Sequence, residues 1–207
     1  MSRNYGNNNK NYYKQLDQVE LIELCQKDDR EALEELLRRT KKPVYSMLYH
    51  LDPKRDDIAD LTQEVLFKVA KSIKSLRSPK TFKFWLNQII TNLFYDELRK
   101  KTRRPPMISM DVPYSDHNEQ EKKPARDIID PSKAPDENTL GRELDSVIKD
   151  AINNLSEQFR LVIVLREIQG LSYEEIAEIT NTNIGTVKSR LARARAKLQE
   201  LLKPYLS

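Results

Sequence analysis

The chain has 207 residues, enough for one domain or two small ones, and its 33% charged and 38% hydrophobic residues with only four glycines are typical of a water-soluble, helix-rich protein. The single cysteine, Cys25, excludes a disulfide framework and a cysteine metal site. No apolar run is long enough to span a membrane or to form a signal-peptide core, so we expect a cytoplasmic protein without membrane insertion.

The N-terminal part begins with a polar segment and continues with helical patterns. Residues 1–15 are rich in Asn and Tyr, and we predict a disordered tail there. Apolar residues recur at helical spacing from Leu16, and Asp28 and Asp29 break the first helix. In the second helix, Pro43 either kinks the helix or marks a new start.

A third helix is predicted for residues 56–73, where apolar residues recur at intervals of three and four. Asp60, Gln63, Glu64 and Phe67 lie mostly off its buried stripe. Acids, an amide and an aromatic ring together are typical of a helix face that binds a partner. An ordinary solvated helix side is the alternative.

The most regular helix pattern starts at Phe82, and we assign Trp85 in its apolar stripe to the core. Asn92 and Tyr95 fall beside this stripe, and Pro105-Pro106 ends the helix. Before the prolines comes a basic cluster of Arg99, Lys100, Lys101, Arg103 and Arg104. These cations would neutralise phosphates if nucleic acid lay alongside. The alternative is that they are stabilised by the negative end of the helix dipole, without binding nucleic acid.

A linker is predicted for residues 106–139. Prolines recur in it, acids outnumber bases, and no periodicity is sustained. The linker divides the chain into a helical unit at residues 16–105 and a second unit at residues 140–207.

The second unit contains the pattern around which the chain is organised. After a helix that ends at Gly170, Ser172 and Glu175 form a capping box that starts a short helix. Residues 180–182 interrupt that helix, and Asn181 tolerates the left-handed backbone that a tight turn needs. A longer helix follows, with apolar residues on one face.

The other face of this last helix is basic. It holds Lys188, Arg190, Arg193, Arg195 and Lys197. A short helix, a sharp turn and a basic amphipathic helix predict a helix-turn-helix, whose second helix enters the major groove of DNA. A helical hairpin with a solvated basic face, or binding to RNA or to an acidic protein, is the alternative.

The predicted fold is all-α, with two small helical domains and no competing strand pattern. His50 and His117 are far apart in the sequence, and the chain has no phosphate-cradling glycine loop, HExxH motif or nucleophile elbow. We therefore predict neither an enzyme nor a metal or other cofactor.

Three stretches resemble one known family in their order and spacing. They are DIADLTQEVLFKVAK at residues 57–71, FKFWLNQIITNLFYDELRKKTRRPP at 82–106, and LSEQFRLVIVLREIQGLSYEEIAEITNTNIGTVKSRLARARAKL at 155–198. From about Leu16 to Leu202 the chain is similar to the extracytoplasmic-function sigma factors of the sigma-70 family. The resemblance implies two helical domains, sigma region 2 and sigma region 4, and a promoter-specificity subunit that directs transcription initiation.

The resemblance implies core RNA polymerase as a partner, contacted at the clamp helices of the largest subunit and at the β flap. The face with Asp60, Gln63, Glu64 and Phe67 resembles the surface that docks on the clamp helices. In the family the linker threads the RNA path of the polymerase, which an acidic linker suits, although a plain tether is the alternative. Many relatives are held inactive by an anti-sigma factor, so such a factor is a further expected partner.

Promoter DNA, duplex and single-stranded, is the other implied partner. Asn92 matches the family residue that helps to hold a flipped-out base of the melted −10 element, and an amide can donate and accept at a base edge. The remaining expected −10 residues are Ser78, Pro79, Lys80, Thr81 and Tyr95, followed by the basic cluster, which would track the DNA backbone.

The −35 element is expected to be read as duplex by the basic helix. Thr186, Lys188, Ser189, Arg190 and Arg193 match its reading positions, whereas Arg195 and Lys197 are expected at phosphates. The turn TNTN at residues 180–183 lacks the family's usual Gly, and we expect its asparagines to supply both the turn and the cap. The small Ala192 leaves the −35 sequence preference open.

Two other functions fit parts of the sequence. A stand-alone helix-turn-helix regulator with an N-terminal interaction domain would need no second DNA site beside Asn92. A helical interaction protein would need neither of the two basic helices.

Overall fold

The computed structural model describes residues 11–103 and 147–205, and every regular element within these two parts is helical. The predicted all-α class is therefore confirmed. The predicted linker at residues 106–139, with its acidic side chains, lies outside the described residues.

Besides a short helix at residues 11–15, the N-terminal lobe contains α1 (Gln18–Gln26), α2 (Arg30–Leu51), α3 (Ile58–Ser72) and α4 (Phe82–Arg103). Short 3₁₀ turns at Ile73–Ser75 and Pro79–Thr81 connect α3 to α4. The connection between these two helices thus consists largely of two 3₁₀ turns. It is also anchored to the lobe, because the Leu76 side chain is buried.

Aspartates define the helix starts in this lobe. Asp17 and Glu20 form a capping box at α1, and the Asp29 carboxylate accepts a hydrogen bond from the Ala32 backbone N–H at 3.0 Å. Between α1 and α2, Asp28 has a φ of 69°. A short polar side chain tolerates this left-handed backbone, so the predicted break occurs at Asp28 and Asp29.

Helix α2 passes through Pro43 without ending, which decides between the two alternatives left by the sequence. Pro43 is exposed, so the carbonyl that loses its N–H partner can face solvent. One turn before the proline, the buried Thr40 hydroxyl donates to the Leu36 carbonyl at 2.7 Å.

Residues 11–15 are helical, and the predicted disordered tail is wrong for this segment. Tyr13 is buried, and its hydroxyl donates to the Asp29 carboxylate at 2.9 Å. That hydrogen bond is the main reason that the pKa of Tyr13 rises to about 12, and burial adds to it. Arg39 donates to the carbonyls of Tyr13 and Leu16 at 2.6 and 2.8 Å. The composition of residues 11–15 did not indicate this helix, because it is stabilised by contacts of the Tyr13 ring and of the distant Arg39 side chain.

Four helices also form the C-terminal lobe: α5 (147–153), α6 (Glu157–Ile163), α7 (Tyr173–Ile179) and α8 (Ile184–Leu202). Helix α6 continues into a π-helical turn at Val164–Ile168. The segment ends at Gly170, as predicted, where a φ of 68° favours glycine.

The helix-turn-helix of α7 and α8 is built as predicted. Ser172 and Glu175 exchange capping-box hydrogen bonds of 2.7 and 3.1 Å. Asn181 has a φ of 49°, and the Asn183 side chain accepts from the Thr186 backbone N–H at 2.7 Å. The two asparagines thus supply the turn and the cap where the family's usual glycine is missing.

Both lobes contribute to one apolar core, so they pack together. Helix α2 contacts α6 and the π-helical turn, and α4 contacts α7. Arg160 of α6 crosses between the lobes and donates to the Leu51 carbonyl at the end of α2 at 2.9 Å. Nothing in the sequence pattern predicted whether the lobes associate.

The buried carboxylate of Glu35 should make stability depend on pH. It accepts hydrogen bonds from Arg38 and Arg39 at 2.7 Å, and these bonds, led by that from Arg38, lower its pKa to about 2. Because the folded-state pKa is depressed, the stabilisation is complete above the ordinary glutamate value of about 4.3 and is lost as the pH falls toward 2. We expect Glu35→Gln to lower the free energy of unfolding by about 1–2 kcal/mol at pH 6.5 and by less at pH 3.

Urea unfolding of wild type and variant at the two pH values measures this difference. The matched control is Glu34→Gln, because the Glu34 side chain is 68% exposed and its ion pair with Arg30 is 3.7 Å long. An equal difference between Glu35→Gln and wild type at both pH values would contradict the assignment.

Candidate nucleic-acid and polymerase interface

The predicted partner face lies on one exposed side of α3. Asp60, Gln63, Glu64 and Phe67 are all exposed and are spaced as neighbours on a helix surface. Phe67 is 68% exposed, the highest value among the large exposed hydrophobic residues of the described parts. The Glu64 carboxylate forms an ion pair with Lys68 at 2.9 Å. An exposed ring among acids is a surface on which a basic, partly apolar partner helix can pack.

The expected −10 residues Ser78, Pro79, Lys80 and Thr81 form an ordered turn at the start of α4. The Thr81 hydroxyl and backbone N–H both donate to the Ser78 carbonyl, at 2.8 and 3.0 Å. Ser78 and Pro79 are half-buried, whereas Lys80 and Thr81 are exposed. Lys80 is therefore the group of this turn best placed to meet a phosphate.

Asn92 lies on the exposed side of α4, and among the described residues its side chain makes no hydrogen bond. Trp85 lies two turns earlier, half-buried, with its ring centroid 5.8 Å from that of Phe82. The assignment of Trp85 to the core is thus half right, because part of the indole is open to solvent. An amide and an aromatic edge are exposed on the same side of this helix.

Helix α4 has a second buried stripe, which the sequence did not indicate. Asn87 and Thr91 are 2% and 0% exposed, and the Asn87 amide donates to the Lys83 carbonyl at 2.8 Å. The Asn87 Oδ1 and Thr91 Oγ1 atoms have no hydrogen-bond partner among the described residues. Polar residues at helical spacing resemble a solvated face, so only the packing of neighbouring helices reveals that they are covered.

The basic end of α4 is partly neutralised by its own acids. Arg99 pairs with Asp96 at 3.1 Å and Lys100 with Glu97 at 2.7 Å. Glu97 also accepts from Arg55 at 2.8 Å, and the bonds from Lys100 and then Arg55 lower the pKa of Glu97.

The rest of the basic cluster is described only in part. The side chains of Lys101 and Arg103, in the last turn of α4, and all of Arg104 lie outside the described residues.

The recognition helix α8 presents its predicted reading residues near its start. Lys188, Ser189 and Arg193 are exposed, and the Ser189 hydroxyl donates back to the Thr186 carbonyl at 3.0 Å. Among the described residues, Lys188 and Arg193 form no ion pair. Their charges are therefore available to an anionic ligand.

The cations further along α8 are already paired. Arg195 forms an ion pair with Glu167 at 2.7 Å, and Lys197 pairs with Glu200 at 2.9 Å. The hydrogen bond to Glu167 raises the pKa of Arg195. The predicted basic face is therefore most strongly positive in the first half of the helix.

Tyr95 and Arg190 were assigned to different promoter elements, and the Arg190 charge is near enough to act on the Tyr95 hydroxyl. Tyr95 is half-buried; burial raises the pKa of its hydroxyl and the nearby Arg190 charge opposes this rise. The Arg190 charge of the C-terminal lobe therefore acts on Tyr95 of the N-terminal lobe.

The described residues contain no helix able to cross a membrane and no cluster of His, Cys, Asp and Glu that could hold a metal ion. Cys25 is buried, and burial raises the pKa of its thiol to about 11, so it is unreactive in the folded chain.

Comparison with known proteins agrees with this geometry. The family model of Sigma-70 region 2 matches residues 36–104, and that of Sigma-70, region 4 matches residues 146–198. The chain is 35% identical over 193 residues to the ECF RNA polymerase sigma-E factor of Haemophilus influenzae, a match that covers 93% of this chain and 98% of the relative. It is also 35% identical over 190 residues to the sigma-E factor of Escherichia coli, covering 92% and 96% of the two chains.

A solved structure shares the fold. The sigma factor RpoE of Bartonella quintana, in complex with the anti-sigma factor NepR, is 30% identical, with a TM-score of 0.59 and coverage of 82% of this chain and 96% of the other. A stand-alone helix-turn-helix regulator would not match region 2 and region 4 together. The chain belongs to the extracytoplasmic-function sigma factors, and it is a promoter-recognition subunit of bacterial RNA polymerase.

Proposed function

We propose that this sigma factor divides promoter recognition between its lobes. Helix α4 and the turn before it hold the melted −10 strand, and helix α8 reads the −35 element as duplex. The observation that carries this proposal is the pair of exposed, unpaired polar surfaces centred on Asn92 and Arg193. The first offers an amide beside an aromatic edge, which suits an unstacked base, and the second offers cations, which suit a groove.

The N-terminal lobe would bind the −10 strand in two ways. The Asn92 amide can both donate to and accept from the edge of a flipped-out base. Ser78, Pro79, Lys80, Thr81 and Tyr95 flank it, and the basic cluster Arg99, Lys100, Lys101, Arg103 and Arg104 follows the backbone. Phosphate contacts add affinity but no sequence information, so base selectivity depends on the amide and its neighbours.

The C-terminal lobe would read the −35 element with the first half of α8. Lys188 and Arg193 are exposed and unpaired among the described residues, which supports contacts to guanine O6 and N7. Arg195 and Lys197 already bind carboxylates. A phosphate can displace such exposed partners, so both residues suit backbone contacts.

The face of α3 with Asp60, Gln63, Glu64 and Phe67 would dock on the clamp helices of the largest polymerase subunit, and the C-terminal lobe on the β flap. An anti-sigma factor is a further proposed partner, because the RpoE relative was solved in complex with one. The protein would act in the cytoplasm, with its linker in the RNA path and without catalytic chemistry of its own.

Run-off transcription with core polymerase on a randomised promoter library tests the function directly. We expect transcripts only when the chain is added, and enrichment of templates with two conserved elements separated by a fixed spacing. Absence of chain-dependent transcripts from every template would overturn the proposal.

Replacement of Asn92 by Ala should reduce open-complex formation about tenfold, because a lost hydrogen bond to a base edge is worth about 1–3 kcal/mol. Core binding should be unchanged, since Asn92 lies away from the α3 face. Permanganate footprinting of melted thymines measures the effect, and Gln88→Ala, an amide one turn earlier on α4, is the control. Equal loss of core binding would point to misfolding or to a docking role.

Replacement of Arg193 by Ala should weaken holoenzyme binding to the −35 duplex about tenfold and relax selectivity at one base pair. Arg30→Ala removes an exposed positive charge from the N-terminal lobe and serves as the control. Affinity measured on promoter fragments with single-base changes separates base reading from phosphate contact. Unchanged affinity would remove Arg193 from the reading residues.

A further inference from the structure

A series of charged side chains joins the start of α3 to the basic end of α4. Arg55, which lies between α2 and α3, donates to the Asp57 carboxylate at 2.7 and 2.6 Å and to the Glu97 carboxylate at 2.8 Å. Glu97 also accepts from Lys100, one turn further along α4, at 2.7 Å. The series therefore connects the helix of the proposed polymerase face with the helix of the proposed −10 surface.

Arg55 and Glu97 are the covered members of this series. Their side chains are 11% and 13% exposed, whereas the Lys100 side chain is 63% exposed. The hydrogen bond to Asp57, followed by that to Glu97, raises the pKa of Arg55 further above its ordinary value. The Glu97 carboxylate is thus held by a permanent cation, which is itself fixed by two bonds to Asp57.

The neighbouring ion pair of α4 is different, because both of its members are open to solvent. The side chains of Asp96 and Arg99 are 53% and 68% exposed, and they pair at 3.1 Å. If Arg99 moves to a phosphate, water can hydrate Asp96. If Lys100 moves, the covered Glu97 carboxylate stays behind close to the phosphate, and it needs another cation to offset its charge.

We propose that Arg55 is a positioning residue for the −10 strand, which holds and neutralises Glu97 so that Lys100 can leave this carboxylate for a DNA phosphate. The proposal rests on the −10 function proposed for α4. Arg55 itself needs no contact with DNA, because it acts through Glu97. A residue outside α4 thus sets how much of the charge at the basic end of that helix reaches the strand.

Binding of the holoenzyme to a fluorescent single-stranded oligonucleotide tests this role. The oligonucleotide carries the −10 sequence enriched in the promoter library, and each variant is added in excess over core polymerase. Arg55→Gln should weaken binding about fivefold, because Glu97 then retains Lys100 or repels the phosphate. Arg55→Lys should recover part of this loss, since an ammonium offsets the charge of Glu97 but cannot reproduce the two bonds to Asp57.

Removal of the carboxylate separates this role from a general loss of structure. In the Arg55→Gln background, Glu97→Gln should restore binding to at least the wild-type level, because no covered charge remains to be offset. In the wild-type background the same substitution should increase affinity about fivefold less than it does without Arg55. A damaged fold would not be repaired by removal of a second charged group.

Asp96→Asn is the matched control for net charge. It removes one carboxylate from the residue next to Glu97, and that carboxylate belongs to the exposed pair. Its effect on affinity should be the same with and without Arg55. Equal rescue by Asp96→Asn and Glu97→Gln would overturn the proposal, because it would show only a general attraction between the strand and positive charge.

Additive effects of Arg55→Gln and Glu97→Gln would also overturn it. Circular dichroism and core binding establish that each variant is folded and docks. Should Arg55→Gln fail either check, Arg55→Lys takes its place in the same cycle, where a smaller coupling of about twofold is expected and its absence overturns the proposal.

The same measurement distinguishes this proposal from the function on which it rests. No binding of the oligonucleotide by the wild-type holoenzyme would overturn the −10 function of α4 and the role of Arg55 together. Binding by the wild type without coupling between Arg55 and Glu97 would overturn the role of Arg55 alone.

Discussion

The burial of one apolar core by both lobes is the constraint on which the arrangement of this chain depends. Each lobe has only a few helices among the described residues, and such small units bury a limited fraction of their apolar surface alone. Packing α2 against α6 and α4 against α7 covers more of it. The Arg160 guanidinium satisfies the Leu51 carbonyl at the end of α2, so the joint is closed by polar as well as apolar contacts.

The same packing gives the surfaces of α4 different roles. One side supports the N-terminal core through Leu86, Ile90 and Leu93, whereas Asn92 stays exposed. Between them lies the covered polar stripe of Asn87 and Thr91. A helix that supports a core and packs near the other lobe holds its exposed amide on a rigid element, as the proposed base site requires. Packing thus leaves each side of this one helix in a different environment.

Several local features followed from residue chemistry alone. The capping box of Ser172 and Glu175, the left-handed Asn181 and the capping Asn183 were predictable because their hydrogen bonds are made within a few residues. The exposed face of α3 followed from helical periodicity. Tyr13 was misassigned to a tail because its partners, Asp29 and Arg39, are distant in sequence. The burial of Thr91 escaped prediction for the same reason.

The sequence by itself determined the all-α class, the helix-turn-helix and the family, because periodicity, capping and motif order are local properties that can be recognised from the order of residues alone. Tertiary structure alone decided that the lobes share a core, that Arg160 reaches the Leu51 carbonyl, and that Asn87 and Thr91 are buried. Those facts depend on contacts between residues that are far apart along the chain. The spacing and charge of residues along the chain do not specify which distant side chains will touch when the helices pack.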